Sequence, residues 1–112
     1  MSADLDAVFA ALADPTRRRI VERLARQPLT IGQIASEFPL TQPAISKHVR
    51  VLENSGLLER TIEGRVHYCT LAPNIMQGVR EWIERQARYW NSALDRLDKI
   101  LAKDQLKRKK AQ

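Results

Sequence analysis

The stretch LTQPAISKHVRVLENSGLL, residues 40–58, decides the fold. It opens on the turn-prone Thr41-Gln42-Pro43, with Thr41 suited to cap a helix, and it closes on Ser55-Gly56, where glycine supplies the left-handed residue that ends one. Counting about 100° per residue divides the helix into two arcs. Ala44, Ile45, His48, Val49, Val51 and Leu52 form a continuous apolar face with one histidine in it. Gln42, Pro43, Ser46, Lys47, Arg50, Glu53 and Asn54 form the other. The only acid in that polar arc, Glu53, lies in the last turns, so its N-terminal half offers only amide, hydroxyl, ammonium and guanidinium groups.

Working back from this helix, TIGQIASEFP predicts a short helix capped by Thr30, with Ile31, Ile34, Ala35 and Phe38 inward and Pro39 as its stop. ADPTRRRIVERLARQP predicts another, with Asp14 as N-cap, Pro15 at the first helical position, Ile20, Val21 and Leu24 as the buried stripe and Pro28 at its end. Leu5, Val8, Phe9 and Leu12 recur at helical spacing and predict a first amphipathic helix over residues 4–13. Working forward, LLERTI and RVHYCTL are short runs of β-formers joined at Glu63-Gly64, a connection suited to a tight hairpin. From Pro73 the pattern is helical again: Val79, Trp82, Ile83, Gln86, Trp90, Ala93 or Leu94, Leu97 and Leu101 form a stripe spaced by threes and fours. The expected fold is α+β and mainly helical, a helix-turn-helix with a two-stranded hairpin as its wing and a long C-terminal helix.

A last helix from about residue 74 to about residue 103 is on the order of 45 Å long, whereas a compact domain of this size has a radius of gyration near 13 Å. Two tryptophans on its apolar stripe would then face water, at a cost of roughly 1.5–3 kcal/mol for each large side chain left uncovered. The expectation is a homodimer whose interface is built from Leu5, Val8, Phe9 and Leu12 of the first helix and Trp82, Gln86, Trp90, Leu94 and Leu97 of the last. The alternative is a last helix that bends back over its own core.

With 112 residues, the chain fits one domain, taken as residues 1–103, followed by a basic, disordered tail over 104–112. A hydrophobic share of 44% against 29% charged residues is the balance of a globule and not of a disordered chain. Acids at Asp4 and Asp6 stand where a signal peptide needs cations, and no apolar run approaches a membrane span of ~18 residues, so the chain reads as cytoplasmic. The lone Cys69 cannot form an internal disulfide. The formal net charge is +6. Residues 73–112 hold ten Lys and Arg against five acids, and residues 1–72 hold nine against eight, so most of the excess sits at the C-terminal end.

The outward groups of residues 41–50 suit the major groove of double-stranded DNA. Glutamine can bond both groups of an adenine edge, arginine forks onto guanine, and hydroxyls and helix-start N–H groups hold phosphates. Arg60 and Arg65 flank the hairpin tip, where a wing could reach backbone or minor groove. The same fold can instead serve as a protein-contact module without specific DNA binding.

FAALADPTRRRIVERL, IASEFPLTQPAISKHVRVLENSGLLER and EGRVHYCTL together resemble the ArsR family of winged helix-turn-helix repressors, over nearly the whole chain. The resemblance implies a homodimer, joined through first and last helices, that occupies an inverted repeat. It places recognition-helix contacts on Thr41, Gln42, Pro43, Ser46, Lys47 and Arg50, and wing contacts on Arg60 and Arg65. Metal-sensing members carry a Cys-x-Cys motif near the third helix or His and acidic ligands on the last. This sequence has neither, and His48, His67 and Cys69 do not make up a ligand set, so the resemblance is to the non-metal-sensing type. A metal-responsive repressor is the remaining alternative; no cofactor is expected and the effector is unspecified.

No constellation speaks for an enzyme. Ser46 and His48 are two apart on a helix, about 200° around it, and cannot share a proton. His48 is expected at the boundary of the apolar arc, bonded to backbone, and Cys69 as a small strand residue. The alternating acids and cations of the last helix fit a solvated flank.

Overall fold

The computed structural model describes residues 4–111, which fall into two compact units divided in the chain between Val79 and Arg80. The first contains helices α1 (Leu5–Leu12), α2 (Pro15–Leu24), α3 (Ile31–Ser36) and α4 (Gln42–Ser55), strands β1 (Leu58–Glu63) and β2 (Val66–Leu71), and the opening turns of α5 (Pro73–Ala111). The second is the remainder of α5.

Each of the first four helices begins on the residue whose side chain can accept a backbone N–H. Asp4 accepts from Ala7, Asp14 from Arg17, Thr30 from Gln33 and Thr41 from Ala44. At α3 the Gln33 side chain also accepts from the Thr30 N–H, completing a reciprocal capping box for a helix of only six residues. Helix α2 ends at Leu24, earlier than Pro28 alone implies: Ala25 is its cap, still in the right-handed region, and the Arg26 N–H donates to the Arg23 carbonyl only three residues back, a tighter closing turn. Helix α4 ends on Gly56 at φ 88°, in the left-handed region.

One core unites the first unit. Val8, Ala11, Ile20, Leu24, Leu29, Ile34, Phe38, Ile45, Val49, Leu52, Leu57, Leu58, Cys69 and Val79 are buried together, with Ile75 and Met76 from the start of α5 packed against them. Val8 is completely enclosed and Leu5 and Leu12 are partly buried against the same core. This corrects the expected interface: Val8 has no surface left to offer a second copy, and of the four α1 residues only Phe9 is exposed. On α4, Val51 is likewise 40% exposed although it falls within the apolar arc, because it lies at that arc's edge.

The strands pair antiparallel, from Leu58 opposite Leu71 to Glu63 opposite Val66. The connection is therefore Gly64-Arg65 and not Glu63-Gly64, with the positive φ at Gly64, the first loop residue, as type II′ turns require. Leu29 bridges to Cys69 with N···O distances of 3.2 and 2.7 Å, and the Ala72 N–H donates to the Leu57 carbonyl at 2.8 Å, so the base of the wing is fixed to the core on both sides.

Helix α5 continues to Ala111. Residues 104–111, expected as a disordered tail, are its last turns. They hold no Pro or Gly, their Lys, Arg, Leu and Gln residues are good helix formers, and Arg108 pairs with Asp104 one turn back at 3.3 Å. No helix among the described residues is long and apolar enough to cross a membrane.

Replacing Gly56 with Ala is expected to destabilise the fold by about 1–2 kcal/mol, since a Cβ is strained at this φ. The space itself is adequate, its nearest contact being Ile75 Cδ1 at 3.5 Å. A urea titration measures the loss; an unchanged midpoint would mean that α4 does not depend on this stop.

Candidate nucleic-acid interface

Helix α3, the turn through Pro39 and Leu40, and α4 form the helix-turn-helix. Its two helices are held from behind. Ile45, Val49 and Leu52 of α4 are wholly buried, and Ile34 of α3 meets them in the core. In front of α3, the Arg23 guanidinium forks onto the Glu37 carboxylate with two contacts of 2.6 Å, and Arg19 lies 4.8 Å over the Phe38 ring. These contacts link α2 to the end of α3.

With its back anchored, α4 turns its polar arc outward. Thr41, Gln42, Pro43, Lys47 and Arg50 are exposed and Ser46 is half-buried at the margin. Gln42, Lys47 and Arg50 make no side-chain hydrogen bond or ion pair among the described residues, so their donors are uncommitted. The backbone at this helix start is less open than its position implies. Pro43 has no N–H, that of Ala44 donates to Thr41 Oγ1 at 3.3 Å and that of Ile45 to the Thr41 carbonyl at 3.0 Å. Among the described residues the Thr41 and Gln42 N–H groups are those left at this helix start.

Glu53, the acid at the far end of α4, is neutralised by Arg60 at 2.8 Å. That contact corrects the expected wing. Arg60 reaches back from β1 to the helix instead of outward, and the carboxylate beside it holds its guanidinium pKa above the usual value. Arg65 stands in the turn itself and is exposed, together with Glu63, Ile62 and Val66. The wing thus presents one cation at its tip, beside an acid and two apolar side chains.

Arg17 is a structural residue that no sequence motif singled out. Its Nε donates to the Ala11 carbonyl at 2.6 Å and its Nη2 to the Ala10 carbonyl at 3.3 Å, while Arg18 Nη1 donates to Leu12 at 2.8 Å. Two cations therefore satisfy the carbonyls at the end of α1 from the start of α2, a role that a cation shortly after a helix end can signal. Arg17 Nη1 also lies 3.4 Å from His48 Nδ1, and Asp14 Oδ2 is 3.8 Å from the same nitrogen. His48 accordingly meets side chains of α2 and not the backbone contact expected for it, which fixes the rotation of α4 about its axis relative to α2.

Two carboxyls in this frame sit below the ordinary range. The Arg17 N–H holds Asp14 down, and the Arg23 fork holds Glu37 down. Burial pushes the Cys69 thiol up, keeping it protonated and inert behind β2. Among the described residues no three His, Cys, Asp or Glu side chains converge as a metal site would require.

Three helices with a paired strand wing, and a fourth helix that is apolar behind and donor-rich in front, define a winged helix-turn-helix DNA-binding protein. Residues 12–61 match the family model described as a helix-turn-helix domain. The chain is 38% identical over 89 residues, 80% of each chain, to the HTH-type transcriptional regulator Rv2034 of Mycobacterium tuberculosis. It is 33% identical over 76 residues to the transcriptional repressor SdpR of Bacillus subtilis, covering 68% of this chain and 84% of that one. The crystal structure of the ArsR family transcriptional regulator RHA00566 superposes with a TM-score of 0.67 at 38% identity, over 79% of this chain and 91% of the other. The chain belongs to the ArsR family of transcriptional regulators.

Because Asp14 and Glu37 are depressed in the folded protein, the unfolded chain binds their protons more readily. Their contribution is present above a pH of about 4 and is lost as the pH falls through their folded values. The urea midpoint is expected to drop as the pH falls below about 4. In an Asp14→Asn, Glu37→Gln double variant the drop should be shallower; an identical slope in both proteins would show that these two contacts are not linked to folding.

Proposed function

We propose that this protein is a repressor that binds an inverted-repeat operator as a homodimer, acting in the cytoplasm by occupancy and not by catalysis. One observation carries the reading: the uncommitted donors of Gln42, Lys47 and Arg50 stand at the start of a helix that is anchored on its other side by the wholly buried Ile45, Val49 and Leu52. In this reading Gln42 and Arg50 address base edges, Thr41, Ser46 and Lys47 address phosphates, Pro43 packs against the groove wall, and Arg65 reaches from the wing. Arg60 supports the site by neutralising Glu53 instead of touching DNA.

Helix α5 supports a second copy. Ile83, Trp90, Leu94, Leu97 and Leu101 are all exposed, and they recur at intervals of seven, four, three and four residues along one seam. Such a repeat is covered by a partner helix, and uncovered it would cost roughly 1.5–3 kcal/mol for each large side chain. The half-buried Trp82 and Gln86 border it on the same helix. The relative SdpR is named a transcriptional repressor, which favours repression over activation.

A footprint on the DNA upstream of the gene tests the reading, together with light scattering for the dimer. Protection of two half-sites about 10 bp apart, or a multiple of that, is expected. Arg50→Ala should weaken operator binding by about 1–3 kcal/mol and relax the preference at one base pair. An equal loss on operator and random DNA would move Arg50 to the phosphate contacts. A monomer in solution, or binding without a protected site, would contradict the reading.

A further inference from the structure

Beyond the seam, α5 carries a second stripe. At about 100° per residue, Arg85, Arg88, Arg96, Lys99, Lys103, Lys107 and Lys110 fall within about 100° of arc. All seven are exposed. The same count places Trp90, Leu94, Leu97 and Leu101 about 160° away, on the opposite side of the helix. From Arg85 to Lys110 the arc contains no acid; its other members are Tyr89, Ser92 and Leu106. The two ion pairs recorded on α5, Arg80 with Glu84 and Arg108 with Asp104, use cations that lie off the stripe. None of the seven is in an ion pair among the described residues.

We infer that this stripe is a second DNA-binding surface, which holds the phosphate backbone of double-stranded DNA without regard to sequence. It extends about 37 Å at 1.5 Å per residue, close to one turn of B-DNA, with a cation every ~5 Å on average against a polymer bearing one negative charge per ~1.7 Å of axis. Because the stripe lies opposite the seam, a twin helix and a duplex could occupy α5 at once. A basic amphipathic helix can also lie on an anionic membrane, but there the apolar side enters the bilayer and the cations flank it. Here that insertion would carry Asp98 and Asp104, which border the apolar arc, to the headgroups and lift the stripe away from them. The charge arrangement therefore fits a duplex.

The inference rests on the reading of the seam but not on operator recognition, so its test removes the latter. In the full chain carrying Gln42→Ala and Arg50→Ala, binding to a random-sequence duplex is followed by fluorescence anisotropy across a salt series. Adding Arg96→Gln, Lys99→Gln, Lys103→Gln and Lys107→Gln should make the slope of log K against log salt shallower by about 3 to 4. Affinity at about 0.1 M salt should fall by on the order of a hundredfold or more, and the difference should close toward higher salt. Arg108→Gln with Lys109→Gln, off the stripe, should leave both nearly unchanged. Should the fourfold variant lose helicity, Lys99→Gln and Lys103→Gln singly should each take about 0.9 from the slope. An unchanged slope would overturn the inference. So would an equal loss in the off-stripe variant, which would reduce the effect to bulk charge, or preferential binding to phosphatidylglycerol vesicles over the duplex.

Discussion

The burial of Ile45, Val49 and Leu52 is the constraint from which the rest of the first unit follows. These three side chains lie on one face of α4 and have no accessible surface. Burying each contributes roughly 1.5–3 kcal/mol, and rotating the helix to hide Gln42, Lys47 or Arg50 instead would forfeit that and strand charges in an apolar core. The reading face is therefore fixed by what lies behind it. Helices α1, α2 and α3 and the base of the hairpin are the walls of the pocket that receives those three residues.

The polar contacts around this core act mainly on direction. Arg17 satisfies the end of α1 while its other nitrogen meets His48 on α4, so one guanidinium relates three helices. The Arg23–Glu37 fork relates α2 to α3, and the Arg60–Glu53 pair relates the wing to the end of α4. All three are partly or wholly exposed and add little to stability. Their consequence is electrostatic: Glu37 at the end of α3 and Glu53, the one acid of α4, each already have a cation, and the donors that remain uncommitted are those at the start of α4. A polyanion approaching that end meets Gln42, Lys47 and Arg50 before it meets any unpaired carboxylate on the same helix.

Much of this was legible in the sequence because it is local. The caps at Asp14, Thr30 and Thr41 and the stop at Gly56 depend on the chemistry of single residues, and the two arcs of α4 depend only on its period. What escaped depends on distance in the chain. Arg60 and Glu53 are seven residues apart across a turn, and Arg17 and His48 thirty-one apart, so no spacing announces either contact. Val8 was placed at an interface because periodicity identifies an apolar stripe without saying which surface covers it. The extent of α5 was missed for a different reason: a run of lysines reads as a solvated tail, although nothing in residues 104–111 breaks a helix. Membership of the ArsR family accounts for the architecture, while the outward chemistry of α4 and α5 belongs to this chain's own residues.

The most direct measurement is a two-dimensional amide NMR titration of the full chain with the upstream duplex. On this account the backbone N–H signals of Gln42, Ser46, Lys47 and Arg50, with the side-chain N–H signals of Gln42 and Arg50, shift most within the first unit, while the backbone signals of Ile45 and Val49 shift little because the anchored face does not move. If those four residues keep their free-state positions at saturation while another face of that unit responds, the start of α4 is not the reading end.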